Sequence, residues 1–270
     1  MKKRKNNKHK INPNKTFEKF LGLVIIIACV VCVLYFNENV SNFIGNVESS
    51  IVNEIGISAP TSDVSVDTNQ VLSFDLDSIP EFDGSTPYVI INDNIPEFAE
   101  SYYKTESFET YSELDSLGRC GVAFANISQD IMPTEERGDI GSVKPSGWKS
   151  VKHDNVDGKY LYNRCHLIGF QLAGENANEK NLITGTRYLN VEGMLPFENE
   201  VADYVQETDN HVLYRVTPIF EDENLVASGV QMEAESVEDR GDGVRFNVYV
   251  YNNQPGIEID YATGESRLLN

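Results

Sequence analysis

Three stretches in the last quarter of the chain alternate apolar and polar residues: His211–Phe220, Leu225–Glu233 and Gly243–Asn252. A period of two, rich in Val, Tyr and Phe, is the pattern of strands that bury one face, and it reads here as antiparallel strands. Tyr88–Ile91 adds a short strand before the turn Asn92-Asp93-Asn94, and Leu117–Ile127 and Lys159–Leu167 read as two more. Ile257–Tyr261 adds an edge. Helical signals are few. Pro96–Tyr103 reads as a short helix, and Tyr188–Val205 as the main one. Pro196 must sit in a first turn or make a kink, which favours a turn through Asn190 followed by a helix over Phe197–Val205. The class expected is α+β: an antiparallel sheet with one important helix lying against it.

The other end obeys different rules. Residues 1–19 carry eight Lys/Arg and one Glu, and Phe20–Phe36 is an unbroken apolar run. Seventeen apolar residues lie at the short end of what spans a bilayer, and positive charge before them places the N-terminus in the cytoplasm. A cleaved signal peptide would have a small-residue cleavage site after the run, and none follows Phe36. A lipoprotein reading rests on Ile26-Ile27-Ala28-Cys29, but seven more apolar residues follow Cys29 where such proteins turn polar. The organisation expected is a basic cytoplasmic tail (1–19), a transmembrane helix through the bilayer (20–36), a flexible tether (37–79) and an extracellular domain (80–270).

The net charge of −20 argues against broad attraction to nucleic acid. The charge is uneven, however. Window 137–187 holds eight Lys/Arg (Arg137, Lys144, Lys149, Lys152, Lys159, Arg164, Lys180 and Arg187) against five Asp/Glu. A locally positive cleft is therefore expected, with Lys144 and Lys149 along it, unless these are scattered solvated cations. Cys29 and Cys32 lie in the apolar run. Cys120 and Cys165 lie in the body, where a disulfide between them is an open question that sequence cannot decide.

Tyr160–Asn190 is where the chemistry concentrates. His9 sits in the basic tail, His153 in a polar loop and His211 at the start of a strand. Only His166 is framed by a strand and followed by Leu-Ile-Gly, and Arg164, two residues earlier, shares its strand face. Burying Arg and His together on one face is costly, so a cleft is expected there. Singly, each residue has a plain reading: His166 a satisfied core histidine, Asn181 and Asn190 turn or cap residues, Glu198 a solvated helix residue, Trp148 core.

Together they resemble the DNA/RNA non-specific endonuclease family with its ββα-metal finger, of the membrane-anchored DNA-entry type. Its Asp-Arg-Gly-His motif stands here as Asn163-Arg164-Cys165-His166, followed by Asn181, Asn190 and Glu198, with Asn and Cys replacing the Asp and Gly. The likeness runs upstream through Leu114–Cys120 and Val143–Trp148. It implies His166 as general base, Asn190 as the protein's direct ligand to Mg²⁺ (Mn²⁺ as a substitute), Glu198 ordering metal-bound waters, Asn181 organising the loop and Arg164 clamping phosphate. The function implied is hydrolysis of DNA, with RNA as a second substrate and a 5′-phosphate product; a toxin role would bring an inhibitor protein as partner. The different-class alternative is an inactive surface module that binds an extracellular partner. A glycosidase is disfavoured because no carboxylate pair stands out from the acidic background.

Overall fold

The computed structural model describes residues 74–269. The basic tail, the apolar run 20–36 and most of the expected tether lie outside the described residues. No helix among the described residues is long and apolar enough to cross a membrane. In chain order the elements are β1 (Tyr88–Ile90), β2 (Phe108–Tyr111), β3 (Ala123–Ile127), β4 (Tyr162–His166), α1 (Phe170–Ala173), β5 (Leu182–Thr186), α2 (Leu195–Thr208), β6 (Val212–Ile219), β7 (Gly229–Ser236), β8 (Arg245–Tyr251), β9 (Ile257–Ile259) and β10 (Ser266–Leu268). Six of them form one sheet in the order β1-β8-β7-β6-β3-β2, and β4-β5 and β10-β9 form two-stranded sheets. Every pairing between these strands is antiparallel, as expected.

The main sheet buries both faces. On one side Ala123, Ala125, Tyr214, Met232 and Val248 pack with Cys165, Leu189 and the α2 residues Val201, Ala202 and Val205. The spacing of those α2 residues is one helical stripe, and Pro196 sits in the first turn, where its missing N–H costs nothing. The opposite face is covered by the segment before β3. Phe98, Tyr102, Tyr103 and Phe108 pack on Val122, Phe124, Leu213 and Val237. The helix expected over Pro96–Tyr103 shrinks to one 3₁₀ turn, Glu100–Tyr102, in a segment whose rings Phe98 and Tyr102 both pack on Phe124. Phe74, Leu76, Ile79 and Phe82 likewise pack against Tyr249 and Tyr251, so the packed body starts no later than Phe74 rather than at Pro80. A buried ion pair fastens this cover: Glu233 takes a bidentate bond from Arg215 and one from Glu97 N–H, while Arg215 also reaches the Glu97 carbonyl.

The strand expected over Leu117–Ile127 keeps only its second half. Asp115 Oδ1 accepts from the N–H groups of Leu117 and Arg119, and Gly118 turns left-handed at φ 74°, which makes the first half a tight turn. The expected edge Ile257–Tyr261 pairs with β10 instead of joining the main sheet. Cys120 and Cys165 are both free and buried, so the open disulfide question is answered as two thiols. Cys120 donates to the Leu182 carbonyl at 3.2 Å, and burial pushes its pKa up to about 12. Alkylation of the unfolded protein without reductant is expected to label both; protection of either would indicate a bridge.

Candidate active site

The β4-β5 pair and the helical segment after it form a ββα unit on the α2 side of the main sheet. His166, the last residue of β4, pairs across with Leu182. Gly185 lets the pair sit tightly against the following helix: a Cβ there would stand 2.4 Å from Cys165 Sγ and 2.8 Å from Leu189 Cδ2. The chain leaving His166 is held by Asn181. Its Oδ1 accepts from Ile168 N–H at 2.8 Å, its Nδ2 donates to Ile168 C=O at 3.0 Å, and its backbone carbonyl accepts from Leu167 N–H. Asn181 is fully buried, so it acts on His166 through the backbone and touches no substrate. Asn181→Ala would leave both Ile168 groups unpaired and is expected to cost about 2–4 kcal/mol in denaturant melts.

Two partners set the tautomer of His166. Nε2 lies 2.7 Å from the carbonyl oxygen of Asn176, which can only accept, so Nε2 carries the proton. Nδ1 faces Arg137 Nη2 at 3.3 Å, which can only donate, so Nδ1 holds the lone pair. Burial and the Arg137 charge lower the imidazole pKa below its ordinary 6.5, burial counting most. His166 is therefore neutral at physiological pH, with Nδ1 as the atom able to take a proton. Arg137 is the site residue that sequence reasoning missed. It lay in the basic window, but its place beside His166 depends on a loop 29 residues upstream.

Glu198, in the first turn of α2, is half-buried. A Cβ on Gly169 would stand 2.7 Å from Glu198 Oε2, so glycine at 169 is what lets the carboxylate lie against the strand exit. Burial raises this pKa to about 7, opposed by the Arg137 charge and a hydrogen bond from Gln171. The folded state thus holds the proton more tightly than the unfolded chain. Without a divalent cation, the contribution of Glu198 to stability is expected to be greatest below about pH 4.5, to fall as pH rises to about 7 and to level off above. Glu198→Gln should remove that component of the slope, gaining on the order of 2–3 kcal/mol relative to wild type at pH 8. Urea melts of both proteins at pH 4.5 and 8 check this, and identical slopes would contradict it.

Asn190 lies in a wide π-helical stretch, Leu189–Met194, that leads into α2. Such widened turns are rare and recur at functional sites. It is half-buried, and its side-chain amide makes no hydrogen bond among the described residues. No group of three or more His, Cys, Asp or Glu that could cage a metal exists among the described residues. One spare amide oxygen suits a hard cation that keeps most of its water, and does not suit a closed zinc site.

Arg164 has other work than clamping. Its Nε donates to the Val143 carbonyl, its Nη2 donates to the Gly141 carbonyl at 2.8 Å, and the guanidinium lies 4.0 Å from the Trp148 ring centre. It braces the 141–148 loop. The positive window is also weaker than expected: Lys149, Lys159, Lys180 and Arg187 pair with Glu265, Asp154, Glu113 and Asp157, respectively, in four surface ion pairs. Lys149 therefore offers little to a cleft, and the cations without a carboxylate partner there are Arg137, Lys144, Lys152 and Arg164. Asn163 Oδ1, where the family motif has a carboxylate, is buried without a partner.

A family model described as DNA/RNA non-specific endonuclease matches residues 99–238, which takes in Arg137, His166, Asn190 and Glu198. The chain belongs to that family. This DNA/RNA non-specific endonuclease is similar to NucA from Streptococcus agalactiae with magnesium ion bound, at 26% identity and a TM-score of 0.61, covering 68% of this chain and 89% of that one. The same NucA with no metal bound gives a TM-score of 0.59. Sda1 nuclease with bound zinc ion is 28% identical at a TM-score of 0.53, covering 68% of this chain and 97% of that one. The endonuclease is thus a phosphodiester hydrolase with nucleic acid as substrate. Strand β8 and the β9-β10 hairpin lie beyond the matched residues.

Proposed function

We propose that this endonuclease is anchored in the cell membrane by residues 20–36, faces outward, and cuts DNA, with RNA as a second substrate, in a Mg²⁺-dependent reaction that Mn²⁺ also supports. The observation that carries the chemistry is the pair of contacts on His166: a carbonyl on Nε2 and a guanidinium on Nδ1. His166 Nδ1 takes the proton from the attacking water, the new P–O bond forms, and the bond to the 3′ oxygen breaks to leave a 5′-phosphate. Arg137 must leave Nδ1 for that water to enter, and an incoming phosphate gives its two-pronged guanidinium a stronger partner. It is therefore better placed than Arg164 to hold the phosphate, while Arg164 keeps the adjacent loop in shape. Asn190 would hold the cation and Glu198 would order its waters; the cation supplies charge neutralisation at the phosphate and at the leaving oxygen. Contacts of this kind made to phosphate carry no sequence information themselves. Breakdown of external DNA for uptake or nutrition, or attack on a neighbour's DNA, both suit an outward nuclease; only the second requires a protective inhibitor protein in the producing cell.

The test is incubation of the detergent-solubilised protein with plasmid, single-stranded DNA and RNA, with Mg²⁺, Mn²⁺ or EDTA. Nicking that needs the cation and ends in 5′-phosphate is the expected result; cutting unaffected by EDTA would refute the reading. Protease treatment of intact cells should remove the nuclease domain, and protection of that domain would overturn the outward orientation.

A further inference from the structure

Beside the proposed catalytic groups lies a cavity of about 400 Å³ lined by Glu135, Glu136, Gly138, Phe170 and Asn176, among others. Its walls alternate with the active site along the chain. Arg137 stands between two lining residues, Phe170 follows the Gly169 that touches Glu198, and the Asn176 carbonyl holds His166. Phe170 is half-exposed, belongs to none of the hydrophobic clusters, and makes no ring contact with another aromatic among the described residues. An aromatic ring left unpacked at a cavity wall is a surface on which a planar group can stack.

The charge of the cavity decides what that group is. Glu135 and Glu136 are exposed, form no ion pair, and line the cavity without any cation. Phosphate is repelled there, so the nucleic-acid backbone stays at Arg137 while a base can turn inward. A carboxylate accepts hydrogen bonds only. Among the bases, guanine presents two adjacent donors on one edge, N1–H and the N2 amine, which match two carboxylate oxygens. Thymine and uracil flank their single N–H with two carbonyls that a carboxylate repels. We propose that this cavity is a nucleobase subsite next to the scissile phosphodiester, stacking an unpaired base on Phe170 and favouring guanine. The proposal rests on the nuclease reading above. It makes the favoured substrate a single-stranded or locally unpaired nucleic acid, whose bases are free to splay out.

The experiment is digestion of a randomised single-stranded DNA library by the full chain in detergent with Mg²⁺, followed by sequencing of the new ends. Guanine is expected to be enriched, and thymine depleted, at one fixed position relative to the cut. Phe170→Ala should flatten that bias and raise KM for single strands about fivefold or more, the lower end of one base stack. Glu135→Gln with Glu136→Gln, at exposed positions that do not threaten folding, should lose the guanine preference while cutting at other bases continues. Vigorous cutting with no positional bias, or a bias unchanged in both variants, would overturn the subsite and leave the nuclease reading standing. No cutting of any substrate would overturn the nuclease reading and the subsite with it.

Discussion

His166→Ala is expected to lower plasmid nicking by about 10²–10⁴-fold, the usual contribution of a positioned general base, while leaving the fold intact. The fold should survive because Asn181, not His166, ties the strand exit down, and because the imidazole's own bonds are one contact to the Asn176 carbonyl and one to Arg137. The loss should lie in kcat, since the proton transfer belongs to the transition state and not to binding. The same geometry fixes the pH dependence. The working form is neutral imidazole, and its pKa is lowered by burial first and by Arg137 second. The acid limb of kcat/KM should therefore fall below the ordinary histidine value of 6.5. Arg137→Gln removes the nearby positive charge, so the imidazole charges more readily and the limb moves to higher pH. That shift separates an electrostatic neighbour from a mere packing residue. A His166→Ala protein that nicks at the wild-type rate would rule out the base assignment.

The central strands were legible because polar side chains still mark one face even where that face is covered, as Arg215, Thr217, Gln231, Glu233 and Asn247 do; β6 and β8 fall inside two of the three alternating stretches, and β7 begins in the third and runs past its end to Ser236. β5 was not. Leu182-Ile-Thr-Gly-Thr186 is a five-residue strand buried at every position, and Thr and Gly are too weakly polar to mark a face over so short a run. β2 is a four-residue edge whose pattern is too short to register. In the site, the ββα residues were found by joint spacing, although each alone has an ordinary reading. Their orientation was not legible. Arg164 shares a strand face with His166, yet its guanidinium turns to carbonyls of a loop 21 and 23 residues earlier. Arg137, a few residues before that loop, is the arginine that reaches the imidazole. Local periodicity says which face a side chain leaves from; which loop meets it there is set by long-range packing. The same limit explains the basic window, whose lysines found carboxylates as distant in sequence as Glu265 and Glu113.

Asn190→Ala is expected to abolish Mg²⁺-dependent cutting, by about 100-fold or more, because the several kcal/mol a cation contributes to phosphoryl transfer would be lost with its one protein ligand. Stability should change little: the Asn190 amide bonds nothing among the described residues, and its backbone carbonyl, which accepts from Leu195 N–H, is kept by alanine. Direct titration of Mg²⁺ into the protein gives a readout independent of turnover, and binding should weaken in the variant. Asn190→Asp, which keeps an oxygen donor and adds charge, should retain the metal. The decisive comparison is with Glu198→Gln. If Asn190 and Glu198 serve the same hydrated cation, their losses cannot add, and the double variant should be about as impaired as Asn190→Ala alone. Fully additive losses, or a normal Mg²⁺ requirement in Asn190→Ala, would place the two side chains in separate tasks and remove the metal site from this end of α2.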